Sequence, residues 1–224
     1  MERIGHRGAK REYPENTIAA FKGAFARRAD AIELDVHATR DGVIVVNHDP
    51  NLGKSFDGLN GAPIAGLDWA TIAKASTSSK TRVPTLEEVF AIVPSGGTVY
   101  VEIKGRDIEQ SVAETLSALP GVRCAVHSFD HDAIRRMREL APTVPRGILF
   151  DRYPENVTAA MRDTGARDVW PEWRLIDVKL VRDVHEAGGR VIAWTVNDRD
   201  AAGELTRMGV DGLCTDDVRL LDGL

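Results

Sequence analysis

The chain is poor in cysteine: Cys124 and Cys214 are the only two in 224 residues, and each falls inside a strand-like segment. Two thiols without motif spacing build neither a disulfide framework nor a zinc site, so both are expected as buried free thiols. No apolar run approaches the ~18 residues a membrane-spanning helix requires. The opening residues, Met1 to Gly8, run into a strand without an apolar signal core. No block rich in lysine and arginine exists to meet a phosphate backbone, and the formal net charge is −5. A nucleic-acid partner is therefore not expected. Neither a GxGxxG turn after a strand nor a GxxxxGKS/T loop occurs, which leaves nucleotide binding without support. Internal repeats and low-complexity segments are also absent. The composition, 43% hydrophobic and 28% charged, is that of an ordinary globular protein with enough chain for one sizeable core. A soluble, cytoplasmic enzyme is the expectation.

Strand-like and helix-like segments alternate throughout. The strands are expected at Arg3–His6, Ile32–Val36, Val43–His48, Val99–Lys104, Arg123–Ser128, Arg146–Phe150, Asp168–Trp170, Val191–Thr195 and Gly212–Thr215. Helical stripes lie between them, such as Ile18, Phe21 and Phe25 within Thr17–Arg28, or Ile134 and Met137 within Asp130–Leu140. This alternation predicts parallel β/α units. One strand falls outside the pattern. A parallel crossover takes roughly a dozen residues, and the link from Val36 to Val43 is far shorter. Val43–His48 must therefore return antiparallel, as a hairpin arm around Arg40-Asp41-Gly42. The remaining strands make an α/β fold of the (β/α)8 TIM-barrel type, with a small insertion after the second strand; an open doubly wound sheet is the alternative. The insertion, about residues 50–83, carries Gly53, Gly58, Gly61, Gly66 and the polar run Ser76–Lys80. It ends where Thr85 and Glu88 form a capping box at the start of a helix. The chain reads as a single domain, 1–224.

In a barrel of this type the reactive side chains sit at the C-terminal ends of the strands. There the sequence places His6-Arg7, Glu33 and Asp35, and Glu102 and Lys104. Alternation along a strand puts Glu33 and Asp35 on one face and Ile32, Leu34 and Val36 on the other. Glu102 and Lys104 share a face in the same way. Three carboxylates meeting at one mouth repel each other unless a cation lies between them, and hard oxygen donors suit Mg²⁺ or Ca²⁺ better than zinc. Arg7 and Lys104 supply fixed positive charge. With a divalent cation they exceed the three carboxylates by one charge, which a singly charged phosphodiester neutralises. The hairpin returns His48 beside the acids, and His6 and His48 make a pair suited to moving protons near neutral pH.

Six motifs occur in order: HRG at His6–Gly8, PENT at Pro14–Thr17, ExD…HD from Glu33 to Asp49, VEIK at Val101–Lys104, HSF at His127–Phe129 and WTVN at Trp194–Asn197. Together they resemble the glycerophosphodiester phosphodiesterase family, from residue 4 to about 217. The resemblance implies a TIM-like barrel that hydrolyses small-molecule glycerophosphodiesters to glycerol 3-phosphate and an alcohol, with a divalent cation, Mg²⁺ or Ca²⁺. It implies that Glu33, Asp35 and Glu102 hold the metal. His6 and His48 would be the general base and acid, and Arg7 and Lys104 would bind the phosphate. It also implies a first attack by the glycerol 2-hydroxyl, through a cyclic phosphate.

Trp194 and Phe129 are expected to wall the substrate pocket. His127 is read as structural or pocket-lining, His37 is left outside the site, and Asn16 is read as the cap of the first helix. Glu15 is either structural or an orienting partner of Arg7. Trp170 and Trp173 are read as aromatic surface in the loop after the sixth barrel strand, open to a choline-like headgroup by cation–π attraction. Two rival readings remain: the same mouth acting on a lysophospholipid or sugar phosphodiester, or a phosphodiester-binding protein without turnover.

Overall fold

A computed structural model of the chain describes residues 1–53, 56, 58–75, 81–119 and 121–224. The polar run Ser76–Lys80 lies outside them. Among the described residues nine strands form one sheet: β1 (Glu2–His6), β2 (Ala31–Ala38), β3 (Ile44–Val46), β4 (Thr98–Ile103), β5 (Arg123–Ser128), β6 (Arg146–Phe150), β7 (Asp168–Pro171), β8 (Arg190–Ala193) and β9 (Gly212–Thr215). β1 pairs parallel with both β2 and β9. That pairing closes eight parallel strands into a barrel and removes the open-sheet alternative. β3 is the exception expected from the short link, antiparallel to β2 with Val36 opposite Val46.

The outward residues of β2 and β4, among them Ile32, Leu34, Val99 and Val101, are buried against the helices. The inward ones, among them Ile4, Tyr100, Leu149, Trp170 and Ile192, fill the lumen. The lower end of the lumen is plugged by polar groups. Glu2 accepts hydrogen bonds from the Tyr100 hydroxyl and from Arg190, each at 2.7 Å, and the buried Asp168 takes Arg167 as a two-point partner. No helix among the described residues is long and apolar enough to cross a membrane.

The helices that position the mouth begin on side-chain caps. α1 (Ile18–Ala26) starts at Thr17, whose hydroxyl accepts from the Ala20 amide. This corrects the reading of Asn16 as the cap. Thr17, one residue later, occupies that position, and Asn16 turns away with φ +57° to donate to Asp35. Between β3 and the next long helical turn lies a short helix, α2 (Trp69–Ile72), and the insertion packs its apolar residues, such as Leu52, Ile64 and Ile72, onto Val45. α3 (Leu86–Phe90) then opens with the expected capping box of Thr85 and Glu88.

The turn after β1 depends on one glycine. Gly8 has φ +84°, and a Cβ there would lie 2.6 Å from the carbonyl carbon of Ala20 in α1. Backbone strain and a backbone clash would both follow. Gly8→Ala is expected to destabilise the protein by about 2 kcal/mol or more, lowering Tm by roughly 4–8 °C. A thermal melt decides this, and an unchanged Tm would mean that the turn can shift away from the helix.

Candidate active site

The mouth is built by strand register. In β1 and β2 His6 is paired with Glu33, in β2 and β4 Asp35 is paired with Glu102, and in β4 and β5 Glu102 is paired with His127. Three neighbouring strands thus present acid, acid and imidazole side by side at one level of the lumen. The hairpin supplies the other imidazole. The Asn47 amide donates to the Asp35 carbonyl at 3.0 Å, which sets His48 against the upper end of β2. His37, left outside the site on sequence grounds, reaches the His48 carbonyl with Nε2 at 3.1 Å and ties that backbone down.

Arg7, Asp35, Glu102 and Lys104 form a chain of alternating charge. Arg7 Nε lies 3.1 Å from Asp35 Oδ2, Lys104 Nζ lies 3.6 Å from Asp35 Oδ1, and the same Nζ is 2.9 Å from Glu102 Oε1. Asn16 donates to Asp35 Oδ2 at 2.8 Å, and Glu15 accepts from Arg7 at 2.9 Å. Glu15 and Asn16 of the PENT segment therefore orient Arg7 and Asp35. His6 Nε2 is 4.0 Å from Glu33, whose Oε2 accepts from the Arg7 amide at 3.1 Å.

These groups surround a cavity of about 340 Å³. His6, Arg7, Glu33, His48, Glu102 and Lys104 all line it, and so do Phe129 and Trp194, the two aromatics expected there. Asp35 sits just behind this lining, fully buried. The rings of Phe129 and Trp194 meet edge to face at 5.4 Å, and Lys104 Nζ stands 5.7 Å above Phe129. Of the two other aromatics, one differs from the sequence reading. Trp170 is not loop surface: it belongs to β7, points into the lumen and packs edge-on against His127 at 4.3 Å. Trp173 already carries a cation, with the Arg174 guanidinium 4.4 Å above its ring. Cys214, buried and free, lines the cavity, whereas Cys124 is only partly buried.

Electrostatics separate the three acids. Burial raises Glu33 to about 7, and Asp35 adds to the rise. Glu102 also goes to about 7, again through burial first and then through Asp35 and Glu33. Burial pushes Asp35 the same way, but Arg7, Asn16 and Lys104 outweigh it and hold that carboxyl below the ordinary aspartate value. Burial lowers His127 to about 4, so its ring is neutral at neutral pH and one of its nitrogens carries a free lone pair.

A metal ion fits this donor set. One donor atom each from Glu33, Glu102 and His127 lies within 4.8 Å of the others. Asp35 Oδ1 and both His127 nitrogens are buried without a hydrogen-bond partner, and an ion would take the lone pair of one His127 nitrogen. Nitrogen is therefore present in the cluster, where only oxygen donors were expected from sequence. Protons compete with such an ion. Below pH 7 Glu33 and Glu102 hold protons that binding must expel, so affinity falls as pH falls, by up to about a hundredfold per unit. Calorimetric titration with Mg²⁺ at pH 8 and pH 6 measures this, and equal affinities would contradict the shifts.

One acid at the mouth went unnoticed in the sequence. Asp216, next to the end of β9, places Oδ1 2.6 Å from His6 Nδ1. No motif marks it, and only closure of the barrel brings it there.

Hard donors and fixed cations around two imidazoles, at the C-terminal mouth of a parallel barrel, equip a protein to hydrolyse phosphate diesters. The model of the glycerophosphoryl diester phosphodiesterase family matches residues 6–220, and the chain belongs to that family. A glycerophosphodiester phosphodiesterase of Caldanaerobacter subterraneus is 32% identical over 99% of this chain and 96% of its own length. Among solved structures, an Oleispira antarctica phosphodiesterase in complex with the product sn-glycerol-3-phosphate superposes with a TM-score of 0.90. It is 23% identical, covering 100% of this chain and 97% of that one, and shows the shared fold. The glycerophosphodiester phosphodiesterase of Thermotoga maritima has a TM-score of 0.85 at 27% identity, covering 99% and 97%.

Proposed function

We propose that this chain, as one barrel domain with residues of about 50–83 as its insertion, hydrolyses small glycerophosphodiesters to glycerol 3-phosphate and an alcohol. The observation that carries the proposal is the register that sets Asp35, Glu102 and His127 side by side, with Glu33 and His6 next to them. Glu33, Asp35 and Glu102 hold Mg²⁺ or Ca²⁺, with His127 in reach as a further donor. When bound, the cation supplies charge neutralisation and orientation for the phosphate oxygens. Arg7 and Lys104 pair with the phosphate, and Phe129 and Trp194 wall the glycerol or its substituent. A cavity of about 340 Å³ suits a small diester. Two free thiols, one of them lining the cavity, fit a reducing cytoplasm.

His6 takes the proton of the glycerol 2-hydroxyl as its oxygen bonds to phosphorus, and His48 gives a proton to the alcohol as its P–O bond breaks. In the second half a water oxygen attacks the phosphorus of the cyclic phosphate as His48 takes its proton, and His6 returns one to the 2-oxygen as its bond to phosphorus breaks. Chelation followed by assay tests the reading. Activity on glycerophosphocholine and glycerophosphoethanolamine is expected to vanish with EDTA and return with Mg²⁺ or Ca²⁺. Full activity after chelation removes the metal's part. A panel that adds lysophosphatidylcholine and sugar phosphodiesters separates this reading from its rivals, and preference for either of those classes would replace it.

A further inference from the structure

His6 and His48 each have a carboxylate on Nδ1, but the two pairs differ in construction. Asp49 meets His48 at 2.8 Å with its side chain 71% exposed, whereas Asp216 meets His6 at 2.6 Å with its side chain 13% exposed. The second contact is set by the barrel itself. β9 runs beside β1 with Gly5 paired to Thr215, so the next residues along, His6 and Asp216, fall together across a separation of 210 positions in sequence.

Asp216 is held from every side. Its Oδ2 accepts from Asn197 Nδ2 at 2.8 Å. Asn197 Oδ1 in turn accepts from the Asp216 amide at 3.0 Å and from the Thr215 hydroxyl at 3.2 Å. Lys10 Nζ stands 3.5 Å from Oδ1 and also reaches Glu15, the partner of Arg7. Burial raises the Asp216 carboxyl, but the His6 hydrogen bond and charge, with Lys10 and Asn197, outweigh it and bring the group down to about 2. An ionised carboxylate can only accept a hydrogen bond. In the neutral His6 ring the proton then sits on Nδ1, which leaves the Nε2 lone pair directed toward Glu33 and the cavity.

We propose that Asp216 is a positioning residue that fixes His6 as the Nδ1–H tautomer, with Asn197 and Lys10 holding Asp216 in turn. The consequence for turnover rests on the reading of His6 as proton acceptor, because only a bare Nε2 can take the 2-hydroxyl proton. It also gives the WTVN segment a part in the site: Asn197 orients the carboxylate that orients the imidazole. Asp216 itself forms no ion pair with Arg7 or Lys104 among the described residues, so its loss is expected on kcat rather than KM.

Asp216→Asn tests this without changing shape. The amide oxygen accepts from Asn197, which turns the amide NH₂ toward His6 Nδ1 and drives the imidazole to the Nε2–H tautomer. On glycerophosphocholine with Mg²⁺, kcat is expected to fall by about a hundredfold or more, with KM within threefold. Nitrogen-15 histidine spectra, taken well below the melting temperature of the variant, are expected to show His6 as Nδ1–H in the native protein and Nε2–H in the variant. An unchanged His6 tautomer in D216N, or kcat within threefold of native while His6→Ala is inactive, would overturn the assignment. If His6→Ala itself turns over at the native rate, the proton-acceptor reading fails instead. The nitrogen spectra then decide on their own whether Asp216 fixes the ring.

Discussion

Glu33→Gln is expected to lower kcat/KM by about a thousandfold or more while making the metal-free protein more stable. Both effects follow from one buried carboxylate. Glu33 is 3% exposed and its carboxyl is raised to about 7, so at pH 8 the native state carries an ionised group that burial and Asp35 both disfavour. Among the described residues no lysine or arginine forms an ion pair with its side chain; its partners there are the Arg7 amide and two imidazoles. Glutamine keeps the shape and still accepts from that amide, but it cannot serve as an anionic metal donor.

The sign of the pH dependence is fixed by the direction of the shift. A carboxyl whose pKa rises on folding stabilises the native state relative to its ionised form below the unfolded value. That contribution is lost as pH climbs from about 4.5 to about 7. Glutamine escapes the loss. The variant is expected to exceed the native protein by up to about 3 kcal/mol at pH 8 in EDTA, and to match it near pH 4.5. Denaturant unfolding at the two pH values measures the difference. A variant that is less stable at pH 8 would show that Glu33 is not electrostatically strained. One that keeps its activity would show that it is no ligand.

His48→Ala should give the second large effect, and a selective one. A general acid matters in proportion to how badly the leaving oxygen needs a proton. For glycerophosphocholine or glycerophosphoethanolamine, whose alcohols leave poorly, kcat is expected to drop by about 10²–10⁴-fold. For a p-nitrophenyl ester of glycerol phosphate, whose phenolate leaves unaided, the loss is expected to stay within about tenfold. His48 sits at the rim with its side chain 34% exposed, on a backbone held by His37, so its removal leaves the barrel core untouched. Equal losses on both substrates would assign His48 to binding rather than to proton donation.

Much of this site is legible because a strand has a period of two. Glu33 with Asp35, and Glu102 with Lys104, declare their common face from spacing alone. The short link from Val36 to Val43 likewise forces the hairpin that delivers His48. Alternation does not say which residue of the next strand stands at the same height. For that reason His127 reads as structural or pocket-lining from sequence, although pairing with Glu102 places it among the donors. Asp216 is harder still, since its neighbour lies at the other end of the chain and meets it only when the ring of strands closes. Asn16 and Trp170 mislead in a different way. Each has a residue type that suits a common local role, a helix cap or loop surface, and each is diverted by a tertiary partner, Asp35 in one case and His127 in the other. Local preference is a weak force beside a buried charge or a lumen that must be filled.

The polar plug formed by Glu2, Tyr100 and Arg190 beneath the lumen has a consequence for traffic. With the floor sealed, the barrel is a dead end rather than a tunnel, and whatever is released must retreat through the doorway by which the diester arrived. A lingering phosphate monoester blocks the next guest simply by standing in the way.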